Sequence, residues 1–167
     1  MFKVNNLVGF GGGPVASGAT AYRYFRINIT DNVDGSGFTH VGELQIMVST
    51  TAYPTSDMTA ASSPSPLVAA ASTESSGGEA WHGFDGSNTA EWVSDGVVVP
   101  QWLRIDLGSG NEIVATSAKI TADNANAGRM PKDFTIEGSN DASSWTVLTT
   151  VTGETAWGSE ETREFTF

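Results

Sequence analysis

The sequence predicts an all-β fold, an antiparallel and jelly-roll-like β-sandwich. Three observations lead there. Charged residues make up only 16% of the chain while glycine occurs 19 times. Short segments alternate apolar and polar residues with a period of two. Clusters of Gly, Asn, Asp and Ser separate those segments, and no apolar pattern runs on for three helical turns. A chain of 167 residues suits one domain with a real core.

Residues 1–20 are rich in Gly and small side chains around "GGGP" and read as an irregular arm outside the core. Within it, Leu7, Val8 and Phe10 of "LVGF" form an apolar tip. That tip suits attachment to another protein, and a disordered leader is the alternative. The sandwich is expected over 21–167. In "AYRYFRINIT", Phe25, Ile27 and Ile29 share one face and Tyr24, Arg26 and Asn28 the other, the pattern of a half-buried strand. "GELQIMV" repeats it with Leu44, Ile46 and Val48.

Between these strands lies "NVDGSGFTHVGE", with Asn32, Asp34, Ser36, Gly37 and Glu43 at the spacing of an EF-hand loop. An EF-hand needs a helix on each side, and strands flank this loop. Its first position is Asn instead of Asp, and its eighth is Thr39 instead of an aliphatic residue. The loop is therefore not an EF-hand, although calcium binding of another sort stays open.

Residues 50–80, with "SSPSP", read as meandering loops holding one short strand near "LVAAAS". "QWLRIDLG", "SAKITA", "DFTIEGS", "WTVLTTV" and "REFTF" complete the strands. In the first of these, Leu103, Ile105 and Leu107 alternate inward. Trp92, Trp102 and Trp145 are expected to cap the core, each needing a partner for its indole N–H.

The net charge is -11, and no Lys or Arg occurs between Arg26 and Arg104. A phosphate backbone needs clustered cations, so nucleic acid is not an expected partner. With no cysteine, disulfides and zinc–thiolate sites are excluded. The apolar patch near the start is shorter than a secretory h-region, and no run reaches membrane-span length. Neither histidine, His40 or His82, stands in a hydrolase, metalloprotease or nucleotide-binding motif. Adjacent Glu160 and Glu161 read as solvated charge. Nothing assembles an acid, a base and a nucleophile, so the chain is expected not to be an enzyme.

"FDGSNTAEW", "PQWLRIDLG" and "GSNDASSWTVL" together resemble the discoidin, or coagulation factor 5/8 type C, family of galactose-binding-like domains. The matching positions are Asp85, Gly86 and Trp92, then Trp102, Asp106, Leu107 and Gly108, then Ser139, Asp141 and Trp145. In the family order, strands like R-Y-x-R-I and A-E-I come last, whereas here "YRYFRINIT" and "VGELQIM" come first. The chain thus looks like a circularly permuted discoidin domain, an arrangement similar to that of some bacteriophage tail and virion proteins.

The resemblance implies a structural calcium held by the Phe84 carbonyl, Asp85, oxygens of Ser87, Thr89 and Ala90, and Glu43. The family Thr five residues after the Asp is replaced by Ala90, with Thr89 one residue early. It also implies glycan binding by loops at one end of the sandwich. The best loop is "ADNANAGRMPKD", offering Asp123, Asn124, Asn126 and Arg129, with His82 as a further contact. The alternatives are ordinary turn residues and an Arg129 paired with a carboxylate. The expected partners are a cell-surface glycan and, through the arm, other virion proteins, at a virion surface. Self-association is left open, and an acidic surface argues against membrane insertion. The alternative function is a decoration protein whose sandwich is an inert knob.

Overall fold

The alternation of apolar side chains reappears as buried rows on paired strands. The computed structural model describes residues 19–35, 37–96 and 99–167. Leu7, Val8 and Phe10, and Ser36 of the EF-hand-like string, lie outside the described residues. The strands are β1 (Tyr24–Asn32), β2 (His40–Val41), β3 (Glu43–Val48), β4 (Thr51–Tyr53), β5 (Val68–Ala71), β6 (Trp92–Val93), β7 (Gln101–Asp106), β8 (Ser117–Thr121), β9 (Pro131–Ser139), β10 (Thr146–Val151) and β11 (Thr162–Thr166). Two single 3-10 turns, Ala80–Phe84 and Ala127–Arg129, are the helical elements of the described residues.

One sheet has the order β10-β9-β1-β7-β5 and the other β11-β8-β3-β4, with every neighbour antiparallel. Phe25, Ile27 and Ile29 of β1 stand beside Leu103 and Ile105 of β7 and Phe134 and Ile136 of β9. They form one buried cluster with Leu44, Ile46, Ala118 and Ile120 from the second sheet. Enclosing a side chain of this size stabilises the fold by about 1.5–3 kcal/mol, so these rows dominate the energetics. The expected all-β sandwich is therefore the observed architecture.

The tryptophans divide. Trp92 is fully enclosed, and its Nε1–H donates to the Thr73 carbonyl at 3.0 Å. Trp102 and Trp145 do not cap the core. With Leu103 facing inward, its neighbour Trp102 must face outward. There the Arg104 guanidinium lies 5.3 Å from the Trp102 ring and Arg26 lies 4.1 Å from Trp145.

Strand register gathers the candidate loops at one end. Asn32 closes β1 opposite Pro131 at the start of β9, and Glu43 opens β3 opposite Thr121 at the end of β8. The chain before β3 runs so close to β8 that a Cβ on Gly42 would lie 2.9 Å from the Thr121 carbonyl oxygen. Glycine is what lets its own N–H reach that oxygen at 3.0 Å. The two-stranded ribbon of β2 and β6 then pairs His40 with Val93, setting His40 beside Glu91.

Candidate functional site

Three loops, 33–42, 84–91 and 122–130, meet at this end. The Val33 and Asp34 N–H groups donate to the Met130 and Gly128 carbonyls at 3.1 and 2.8 Å. Asn32 Nδ2 ties its own loop shut by donating to the Phe38 carbonyl at 2.8 Å. Asn124 Nδ2 donates to the Asn88 carbonyl at 2.9 Å, and Ser159 Oγ donates to the Asn124 carbonyl at 2.7 Å. The loops expected separately for calcium and for glycan are thus joined by one side chain, Asn124.

The first cluster is acidic. Glu43 is only 6% exposed. Its Oε2 accepts the Gly86 N–H at 3.3 Å. Burial first, then the charge of Asp85 and that of Asp57, push the Glu43 carboxyl up to about 8 against the pull of the Gly86 and Asp85 N–H groups. Asp85 Oδ1 accepts the Ser87 N–H at 2.9 Å, and Oδ2 lies 3.0 Å from His82 Nδ1. Gly86 has φ +69°, and a Cβ there would come within 2.5 Å of Asp57 Oδ1. Both the turn and the carboxylate approach therefore require glycine. The Phe84 carbonyl accepts the Met58 N–H at 2.9 Å, and the Ser87 and Thr89 hydroxyls lie 2.8 Å apart. Ala90 contributes no side-chain oxygen.

Glu43, Asp85 and Asp57 are the carboxylates that could hold a hard divalent cation here, since a cation would offset the charge of Asp85 and Asp57 that adds to burial in raising Glu43. The Phe84 carbonyl and the Ser87–Thr89 oxygens are the neutral donors at hand. Asp57 is a member that sequence reasoning missed, because it lies in the Ser/Pro-rich loops and only the chain path brings it to Gly86.

The second cluster is a chain of complementary groups. His40 Nδ1 lies 2.8 Å from Asp123 Oδ2, and Arg129 Nη1 lies 3.3 Å from His40 Nε2. A guanidinium only donates, so Nε2 accepts and the ring proton sits on Nδ1, facing Asp123. Asp123 is 1% exposed. Burial works to raise its carboxyl, but the Ala125 N–H, the Asn126 side chain and His40 outweigh it and hold it below the usual value. Burial, together with Arg129, pulls the His40 imidazole below its usual value, against Asp123 and Asp34. Glu91 is raised by burial and by Asp123, and its Oε1 lies 3.7 Å from His40 Nδ1, beyond hydrogen-bond reach.

His40, Glu91 and Asp123 offer ligand atoms within 4.8 Å of one another. A metal on Nδ1 would displace the Asp123 bond, place a proton on Nε2 and turn it against Arg129. The hydrogen-bond chain is the arrangement these partners define.

Arg129 also lies 5.4 Å from the centre of the Phe38 ring, and Phe38 is 39% exposed. Of the glycan-loop residues, Arg129 is half-buried and Asn124 is exposed, while Asp123 and Asn126 are turned to one another. His82 stacks on Trp81 at 3.7 Å and pairs with Asp85, which places it in the acidic cluster. Phe38, His40 and Glu91 were not among the expected site residues. Their only sequence signal was an aromatic and a histidine within a loop of turn residues.

A groove of about 280 Å³ lined by Tyr53, Pro54, Leu67 and Leu107 contains none of these groups and no charged residue.

An antiparallel sandwich with its polar groups gathered on loops at one end is the shape of a binding module. The family model of NedA-like, galactose-binding domains of the F5/8 type C class matches residues 82–167, and the chain belongs to that family. No curated protein matches the chain. No helix among the described residues is long and apolar enough to cross a membrane.

Proposed function

We propose that this domain is a non-catalytic carbohydrate-binding module that takes a neutral sugar of the galactose type on the face formed by Arg129, Asn124, Phe38 and Glu91. The observation that carries the reading is the placement of Arg129. It is held by His40 behind, flanked by exposed Phe38, and set in the loop cluster of a domain whose family is described as galactose-binding. Guanidinium and amide groups supply the planar donors and acceptors that sugar hydroxyls use, and an aromatic ring packs against the apolar face of a pyranose. Asp123, Asp34 and Glu91 face His40, beside Arg129, and this acidic surrounding favours a neutral sugar over an acidic one.

In this reading a calcium ion in the Glu43, Asp57 and Asp85 cluster braces the neighbouring loop, and Asn124 passes that support to the sugar face. The domain is a circular permutant. Supporting this, the family match covers 82–167 only, while β1 and β3, central in their sheets, come from the unmatched part. The similarity of that order to bacteriophage tail and virion proteins supports a place on a virion surface, contacting host glycans and attached through residues 1–20.

The test is a glycan array probed with the full chain, in calcium and then in chelator. Selective binding to galactose-terminated glycans that is lost in Arg129→Ala is the expected result. A blank array from a folded domain would overturn the reading and favour the inert decoration role.

A further inference from the structure

The geometry points to His40 as the positioning residue of the sugar face: buried beneath it, the imidazole takes its orientation from Asp123 and uses its remaining lone pair to aim the Arg129 guanidinium. The inference rests on the sugar-binding reading and adds how that site is set and what switches it off.

The argument is one of donors and acceptors. His40 is 3% exposed, so a sugar contacts it through its neighbours rather than directly. Asp123, fixed by the Ala125 N–H at 2.8 Å and by Asn126, accepts from Nδ1 and selects one tautomer. Nε2 then has only a lone pair to present, and the donor it meets is Arg129 Nη1 at 3.3 Å. Backbone bonds between loop 33–42 and residues 128–130 fix the spacing of the two side chains. Arg129, with its long flexible stem, is therefore pre-set between His40 and Phe38 before any ligand arrives, which lowers the ordering cost of binding.

Protonation of His40 reverses this. An imidazolium carries N–H on both nitrogens, so Nε2 changes from acceptor to donor and repels Arg129, while Nδ1 keeps Asp123. The charged groups facing the ring are Asp123 and Arg129 from the loop after β8, Glu91 from the segment before β6, and Asp34 from the loop after β1. The carboxylates favour the imidazolium and Arg129 opposes it, while burial opposes it most strongly. The sugar face is thus set at neutral pH and released on acidification.

Two measurements on the full chain test this. Long-range proton–nitrogen NMR at pH 7 reads the ring directly and needs no ligand. A neutral ring with its proton on Nδ1 is expected, and an Nε2–H tautomer or an imidazolium would overturn the inference. Galactose affinity is then followed against pH in wild type, His40→Asn and His40→Gln. The Asn side chain retains a donor near the Nδ1 position but does not reach Arg129. The Gln side chain extends an acceptor toward the Nε2 position. The expected result is a loss of about tenfold in His40→Asn, the size of one hydrogen bond. A smaller loss is expected in His40→Gln, and the acid fall of wild type should be absent from both. Equal losses with the acid fall retained would overturn the positioning role. Should galactose fail to bind wild type at any pH, the sugar reading falls, and the ring tautomer still decides whether His40 aims Arg129.

Discussion

The acidic cluster around Glu43 and the chain from Asp123 through His40 to Arg129 are neighbours built from similar polar material, yet their electrostatics are opposite. Around Glu43 like charges converge on a buried carboxyl, and it holds its proton up to about pH 8. Around His40 each group meets its complement, and burial is compatible with a charged Asp123 held below its usual pKa. The lesson is that burying polar groups distinguishes two kinds of site. One set is complete as it stands, and the other has a deficit of positive partners that the proton on Glu43 relieves.

The largest expected effect breaks the deficit. The Glu43 pKa is raised above its unfolded value, so the folded state binds more protons between about pH 4.5 and 8. Stability in chelator is therefore full below that window and falls as pH rises through it. Glu43→Gln removes the charge and keeps an acceptor for the Gly86 N–H. It should stabilise the chelated protein at pH 7 by up to roughly 3 kcal/mol, flatten the pH dependence and abolish the response to calcium. Thermal unfolding from pH 4 to 8, with calcium and with chelator, checks this. A chelated wild type of constant stability across the window would show that no such deficit exists.

Asp123→Ala attacks the complete set. It strips the partner from the buried His40 Nδ1–H and from the Ala125 N–H, and the expected cost is about 2–3 kcal/mol with or without calcium. Denaturant unfolding reads it, and a cost that depended on calcium would mean the two clusters are one. Asn124→Ala should have the smallest effect, under about 1 kcal/mol, since one exposed hydrogen bond is lost. Its value lies in coupling. Calcium should cease to alter galactose affinity in this variant, measured by titration calorimetry, on top of the weaker affinity expected from losing the Asn124 amide on the sugar face.

These two clusters were unequally legible in the sequence. The strands were readable wherever alternation had room, as in β1 or β9. Strands β2, β4 and β6 are two or three residues long, too short to show a period. The 84–90 loop was legible only through the family resemblance, and the 123–129 loop because that resemblance points to loops at one end and Asn and Arg offer planar donors and acceptors. Asp57, Glu91 and His40 were not, because their roles arise only when register brings distant loops together. Trp102 was misjudged despite a signal in plain view, since the inward Leu103 fixes its neighbour's direction. Glu161 likewise is more than solvated charge: both its oxygens take Arg163 at 2.8 Å, and its carboxyl is lowered to about 2, chiefly by that pairing.

The central place of β1 has a consequence for how the chain reaches its native state. The strand is made well before its two partners. Arg23 is 83 positions from Asp106, and Arg26 is 111 positions from Glu137. A nascent chain must therefore carry an apolar strand with both edges open until β7 and then β9 leave the ribosome. Pairing across such separations is slow, and an open edge is a template for other chains. Tyr24, Arg26 and Asn28 alternate with the three apolar residues along that strand. Their polarity gives the waiting segment some protection against aggregation before the sandwich closes.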